Sequence, residues 1–107
     1  MNDTIFVELQ TTCGSAEEAH KIADALLDAK LIACAKFTPI ESKFPWKGEV
    51  QQGKEVMLNM LTIADNFEKI KPMIADNHSY ETFVLEQIPV TRVSTEAQAW
   101  LEEVLGL

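Results

Sequence analysis

The sequence predicts an α+β sandwich in the order β-α-β-β-α-β with one further helix at the C-terminal end. Three observations predict it. Short strand-like runs alternate with helical stripes in that order. Each helical stripe has a recognisable start. Between the first two helical segments lies one hairpin that is too long for a chain of 107 residues. With arms of about 14 residues at about 3.3 Å each, the hairpin spans about 45 Å. A compact domain of this size has a radius of gyration near 13 Å, hence a diameter of roughly 35 Å. The hairpin tip is therefore expected to overhang its own core.

Ile5-Phe6-Val7-Glu8-Leu9-Gln10 alternates as a first strand, with Ile5, Val7 and Leu9 on one face. Thr11-Thr12-Cys13-Gly14 reads as its break, which places Cys13 on an exposed turn. Ser15 and Glu18 have capping-box spacing: the hydroxyl accepts from a free helix amide and the carboxylate reaches back. Ala19, Ile22, Ala23, Leu26 and Leu27 then form one apolar stripe, ending near Lys30. His20 lies beside the stripe and reads as solvated.

The hairpin arms are Leu31–Phe37 and Val56–Leu61, each with its continuation toward a tip at Trp46-Lys47-Gly48-Glu49. Pro39 has no amide to donate, so it marks an edge or a bulge. Asp65 and Glu68 are the expected caps of a second helix carrying Phe67, Ile70 and Ile74, and Pro72 is expected to kink or shorten it. Thr82–Ile88 reads as the last strand, with Pro89 at its end or on an edge. Thr95 and Gln98 are the expected caps of a third helix bearing Ala97, Trp100, Leu101, Val104 and Leu105.

Right-handed crossovers would place two helices on one face of a four-stranded antiparallel sheet, which is a ferredoxin-like arrangement. Strands one and three carry apolar side chains on both faces (Phe6 against Val7; Met57 and Leu61 against Leu58 and Met60). That pattern, with Phe44 and Trp46 on the overhang, predicts self-association. Length predicts a single domain over residues 1–107.

The formal charge is −8, and no Lys/Arg cluster exists to neutralise phosphates, which argues against nucleic acid and against an anionic membrane. Met1–Ile5 has no basic leader followed by an apolar stretch, and no apolar run approaches about 18 residues. Cys13 and Cys34 form neither a CxxC pair nor zinc-finger spacing. Free thiols of this kind point to a cytoplasmic protein. No nucleophile–base arrangement stands out, so an enzyme is not expected.

The pieces Leu31-Ile32-Ala33-Cys34-Ala35, Phe44-Pro45-Trp46-Lys47-Gly48-Glu49-Val50, Glu55-Val56 and His78-Ser79-Tyr80-Glu81 stand in one register across the chain. Leu9-Gln10-Thr11-Thr12 and Trp100-Leu101 join them. Together they resemble the CutA family, the divalent-cation tolerance proteins. The resemblance implies a ferredoxin-like subunit, a homotrimer joined through long hairpins, and a role in tolerance of copper and other divalent cations. Ser79, Phe83, Val84 and Leu61 depart from the residues usual in that family, and Phe44 is nearest to a usual tyrosine.

His78, Glu81 and Cys13 are the candidate metal ligands. Imidazole, carboxylate and thiolate all bind borderline divalent ions, and the thiolate favours copper. A site uniting Cys13 with His78 would need a second subunit or a loop that folds back. Cys34 reads as a small buried strand residue. Trp46 and Tyr80 offer aromatic faces to an organic ligand, or pack in an interface; no organic cofactor is predicted. The alternative function is a trimeric sensor or adaptor resembling the PII signalling proteins, holding a small metabolite in clefts between subunits.

Overall fold

A computed structural model describes residues 4–107; the reading of Met1–Asp3 as free of a basic leader lies outside the described residues. The elements are β1 (Phe6–Cys13), α1 (Ala16–Asp28), β2 (Cys34–Trp46), β3 (Glu49–Ile63), α2 (Phe67–Asn77), β4 (Glu86–Pro89) and α3 (Thr95–Val104), with a 3-10 turn at Ala64–Asn66. The four strands form one antiparallel sheet in the order β2-β3-β1-β4. This is the ferredoxin-like arrangement expected from the element order.

β2 and β3 pair continuously from Cys34↔Leu61 to Trp46↔Glu49, while β1 leaves β3 at Cys13↔Val56. Beyond that point the hairpin is a two-stranded ribbon without a third strand, about 23 Å long at about 3.3 Å per residue. It gives the molecule its long dimension of 50 Å, against 25 and 22 Å across. The tip turns on Lys47 (φ 52°) and Gly48 (φ 83°), both left-handed, as a two-residue turn between twisted strands requires. Pro39 and Pro45 lie on β2, an edge strand in unbroken pairing register, so their nitrogens face the free edge rather than β3.

Val7, Leu9, Cys13, Leu58 and Met60 on the sheet, with Ala19, Ile22, Ala23 and Leu26 of α1 and Ile70 and Ile74 of α2, form the main core. Leu27, expected in the α1 stripe, is 42% exposed at its margin. After Ala29, Lys30 adopts φ 59°, its amide bonds Leu27 O and the Leu31 amide bonds Leu26 O. This paired closure leaves Lys30 in a conformation that glycine usually supplies. Leu31–Ala33 precede β2 instead of starting it. Leu31 O accepts from Thr62 Oγ1 (2.6 Å) and Asn66 Nδ2 (3.1 Å), so side chains anchor the segment.

The opposite face of the sheet is not left wholly to a partner. α3 folds over it, and Leu101 and Leu105 bury Phe6, Ala33 and Ile63 in a second core. The remainder of that face carries a polar chain: Asn59 Nδ2 donates to Glu8 (2.8 Å) and Gln10 (3.1 Å), and Gln10 donates to Glu86 (3.1 Å). Ser94, not Thr95, caps α3, accepting from the Ala97 amide. Asn66 rather than Asp65 stands before α2, which runs on through Pro72. The last strand is confined to Glu86–Pro89, because Thr82–Leu85 belong to the loop that builds the site.

Candidate functional site

β1 does not break at Thr11; it continues to Cys13, paired with Val56. Alternation then turns the Cys13 side chain into the main core, where it is fully buried. The exposed thiol expected from the sequence is thus corrected. Burial, with the nearby carboxylates of Glu18 and Glu55, pushes the thiol from 9.0 up to about 11.

After α2 ends at Asn77, the chain folds back across the end of β1. His78 Nε2 lies 2.9 Å from Thr12 O, a contact in which the ring donates. In a neutral ring that bond leaves the lone pair on Nδ1, where it can accept from a backbone amide; a proton on Nδ1 would instead bond the Glu18 carboxylate. The His78 ring stacks on Phe83, with centroids 5.1 Å apart, and is fully enclosed. The loop therefore brings His78 to Cys13 within one chain.

The third member is Glu18. Ser15 caps α1 by accepting from the Glu18 amide at 3.1 Å, as its sequence spacing suggests. The Glu18 carboxylate, however, does not turn back on the cap. Its Oε1 lies 3.1 Å from His78 Nδ1 and accepts from the Ser79 amide at 3.2 Å. One donor atom each from Cys13, Glu18 and His78 lies within 4.8 Å of the others. Ligands on a tetrahedral divalent ion stand about 3.5 Å apart, so the group needs to draw in by about 1 Å. Thiolate, imidazole and carboxylate suit copper or zinc, and three protein ligands leave a fourth position open.

Glu81 does not join this group. Its carboxylate lies 3.9 Å from Lys47 Nζ across the hairpin, and both side chains are about three-quarters exposed (75% and 74%). The sequence reading placed Glu81 beside His78 and missed Glu18. The missed signal was the capping-box spacing, whose acid is free for other work when Ser15 alone caps the helix.

Tyr80 connects the Cys13–Glu18–His78 group to the hairpin. Its amide donates to His78 Nδ1 at 3.1 Å, and its hydroxyl donates to Glu55 Oε1 at 2.5 Å. Ser42 donates to the other Glu55 oxygen at 2.7 Å, which secures this buried carboxylate on the ribbon. Desolvation, reinforced by the bond to Glu55, holds the Tyr80 hydroxyl well above the usual phenol range. Tyr80 and Trp46 line the same pocket of about 470 Å³, with Phe44, Glu55, Lys54 and Glu81 around it. The structure thus brings together the two aromatic residues expected to meet an organic ligand.

A ferredoxin-like chain with a protruding hairpin and an enclosed thiol–carboxylate–imidazole group defines a class of small α+β proteins with a candidate metal centre. The pattern of the CutA1 divalent ion tolerance protein family matches residues 7–104, and the chain belongs to that family. It is 34% identical over 94 residues to the divalent-cation tolerance protein CutA of Archaeoglobus fulgidus, covering 88% of this chain and 92% of that protein. The CutA of Thermus thermophilus is 32% identical over 96 residues, covering 89% and 93%. Among solved structures, the CutA of Archaeoglobus fulgidus, described as periplasmic, superposes with a TM-score of 0.91 at 32% identity, over 94% of this chain and 98% of that one. CutA1 of Ehrlichia chaffeensis superposes at 0.89 with 27% identity, over 99% and 100%. No helix among the described residues is long and apolar enough to cross a membrane.

Proposed function

We propose that residues 1–107 form one domain of a homotrimeric, non-enzymatic, cytoplasmic protein that binds divalent cations, copper among them, and contributes to metal tolerance. The observation that carries the metal reading is the convergence of Cys13, Glu18 and His78 within 4.8 Å. Their enclosure supports tight binding, since a desolvated cation interacts strongly with a thiolate and a carboxylate. Membership of a divalent-cation tolerance family supports the same reading. The trimer is supported by the ribbon beyond β1, where Phe44 (40%), Trp46 (39%) and Val50 (73%) are exposed. Both described cysteines are free, as a reducing compartment would keep them.

Calorimetric titration with Cu2+ and with Zn2+ tests the site. The expected result is one ion per subunit, with binding lost or weakened at least a hundredfold in the Cys13→Ser, Glu18→Gln double variant. Unchanged affinity in that variant, or no binding tighter than millimolar in the parent, refutes the assignment. Sedimentation tests the assembly: a folded species of 12.0 kDa at micromolar concentration would refute it.

A second reading is favoured by the pocket itself. About 470 Å³ bounded by Phe44, Trp46 and Tyr80, with Lys54 and Glu55 as polar anchors, suits a small metabolite, as in a trimeric PII-like sensor or adaptor. A thermal-shift panel separates the two readings: a response to metals alone favours tolerance, and a response to an organic ligand favours the sensor.

A further inference from the structure

The two polar donors of the candidate metal group are both occupied by one short stretch of backbone. The Ser79 amide donates to Glu18 Oε1 at 3.2 Å, and the Tyr80 amide donates to His78 Nδ1 at 3.1 Å. A carboxylate has lone pairs to spare. An imidazole nitrogen has one. With Nε2 2.9 Å from Thr12 O and donating to it in the neutral ring, Nδ1 is the nitrogen that can take an ion.

A divalent ion on Nδ1 would lie about 2.0–2.1 Å from it. The Tyr80 amide donates to Nδ1 at 3.1 Å and so uses the one lone pair that the ion would need. The ion and the amide exclude each other. Tyr80 is held at its other end as well, because its hydroxyl donates to Glu55 at 2.5 Å. A rigid ring joins the two ends. A backbone shift of more than about 1 Å carries the hydroxyl beyond hydrogen-bond range of Glu55, which Ser42 holds on the ribbon.

Resting on the metal reading above, we infer that a cation taken up by Cys13, Glu18 and His78 unlatches Tyr80 from Glu55 and so remodels the pocket along the hairpin. Tyr80 is then a positioning residue that couples an enclosed ion to the pocket along the hairpin. The coupling is reciprocal: whatever holds Tyr80 on Glu55 weakens the ion, and whatever releases it strengthens the ion. An organic molecule that fills the pocket against the latched Tyr80 therefore opposes the metal, and one that needs the ring withdrawn assists it.

Zinc is the probe, because it is redox-silent beside a thiol. Tyr80→Phe keeps the ring and the amide and removes only the bond to Glu55. Hydrogen bonds to charged groups have net values that correspond to factors of ten or more in an equilibrium constant, so Zn2+ is expected to bind Tyr80→Phe about tenfold more tightly than the parent. In the parent, saturating Zn2+ is expected to accelerate hydrogen exchange at the Tyr80 amide. Equal zinc affinities within twofold, or a Tyr80 amide that stays protected in the zinc-loaded protein, would overturn the coupling while leaving the metal site intact. Absence of zinc binding in both proteins would remove the metal site, and the coupling with it.

Discussion

The raised Cys13 thiol sets a specific pH dependence on metal uptake. A thiol ligates as thiolate, so binding must expel the Cys13 proton. With the group pushed to about 11, the thiol is protonated throughout the neutral range, and each unit of rising pH makes its removal ten times easier. Cys13 alone should therefore strengthen Zn2+ binding about tenfold between pH 6.5 and 7.5. An ordinary surface thiol would show the same slope but start about a hundredfold nearer to ionisation, so burial lowers the affinity across the neutral range without changing its slope. The assay is calorimetric titration at both pH values in two buffers of different ionisation heat, which counts the protons released. The parent should release about one proton more per Zn2+ than Cys13→Ser, and its affinity should rise correspondingly more with pH. Equal proton release by the two proteins would refute the argument, because it would mean that Cys13 is not a ligand.

The same thiol predicts a loss of stability in alkali. A cysteine held protonated in the fold stabilises it fully only below its unfolded value near 9.0, and the advantage disappears as pH climbs toward 11, so melting temperature should fall more steeply over that window in the parent than in Cys13→Ser. Thr11 is 2% exposed on the core face of β1, and its hydroxyl has no hydrogen-bond partner among the described residues. Thr11→Val keeps the shape and should raise unfolding free energy by about 1 kcal/mol in urea titration, with unchanged slope. Lys30→Gly relieves the left-handed residue closing α1 and should add about 0.5–1 kcal/mol by the same measurement. Leu101→Ala, which opens the second core beneath α3, should cost about 3 kcal/mol in thermal or chemical denaturation.

The long hairpin was legible because its information is local. Lys47-Gly48 supplies the only turn that the pairing needs, and alternation propagates from it along both arms. The helices were legible from their stripes, with boundary errors where competing caps stood side by side, as with Ser94 and Thr95. The site was only partly legible, because it depends on which strand and loop ends meet. Cys13 looked exposed since Thr-Thr-Cys-Gly resembles a turn, yet pairing with β3 extends the strand and aims the thiol inward. Glu18 was read as part of a cap, and nothing in its spacing reveals that a loop sixty residues on offers it the Ser79 amide. Thr82–Leu85 has strand composition, but Phe83 is drawn onto His78, so the run serves the site instead of the sheet.

The two prolines of β2 bear on how such a molecule stays in solution. A bare strand margin invites further chains to dock backbone to backbone, and repeated addition ends in fibres. Here Pro39 and Pro45 interrupt the row of donors along that margin, while Lys36, Lys43 and a formal charge of −8 discourage like molecules from lining up. Backbone addition along this margin is thereby hindered, and the exposed side chains of the ribbon are the route left for any joining of copies.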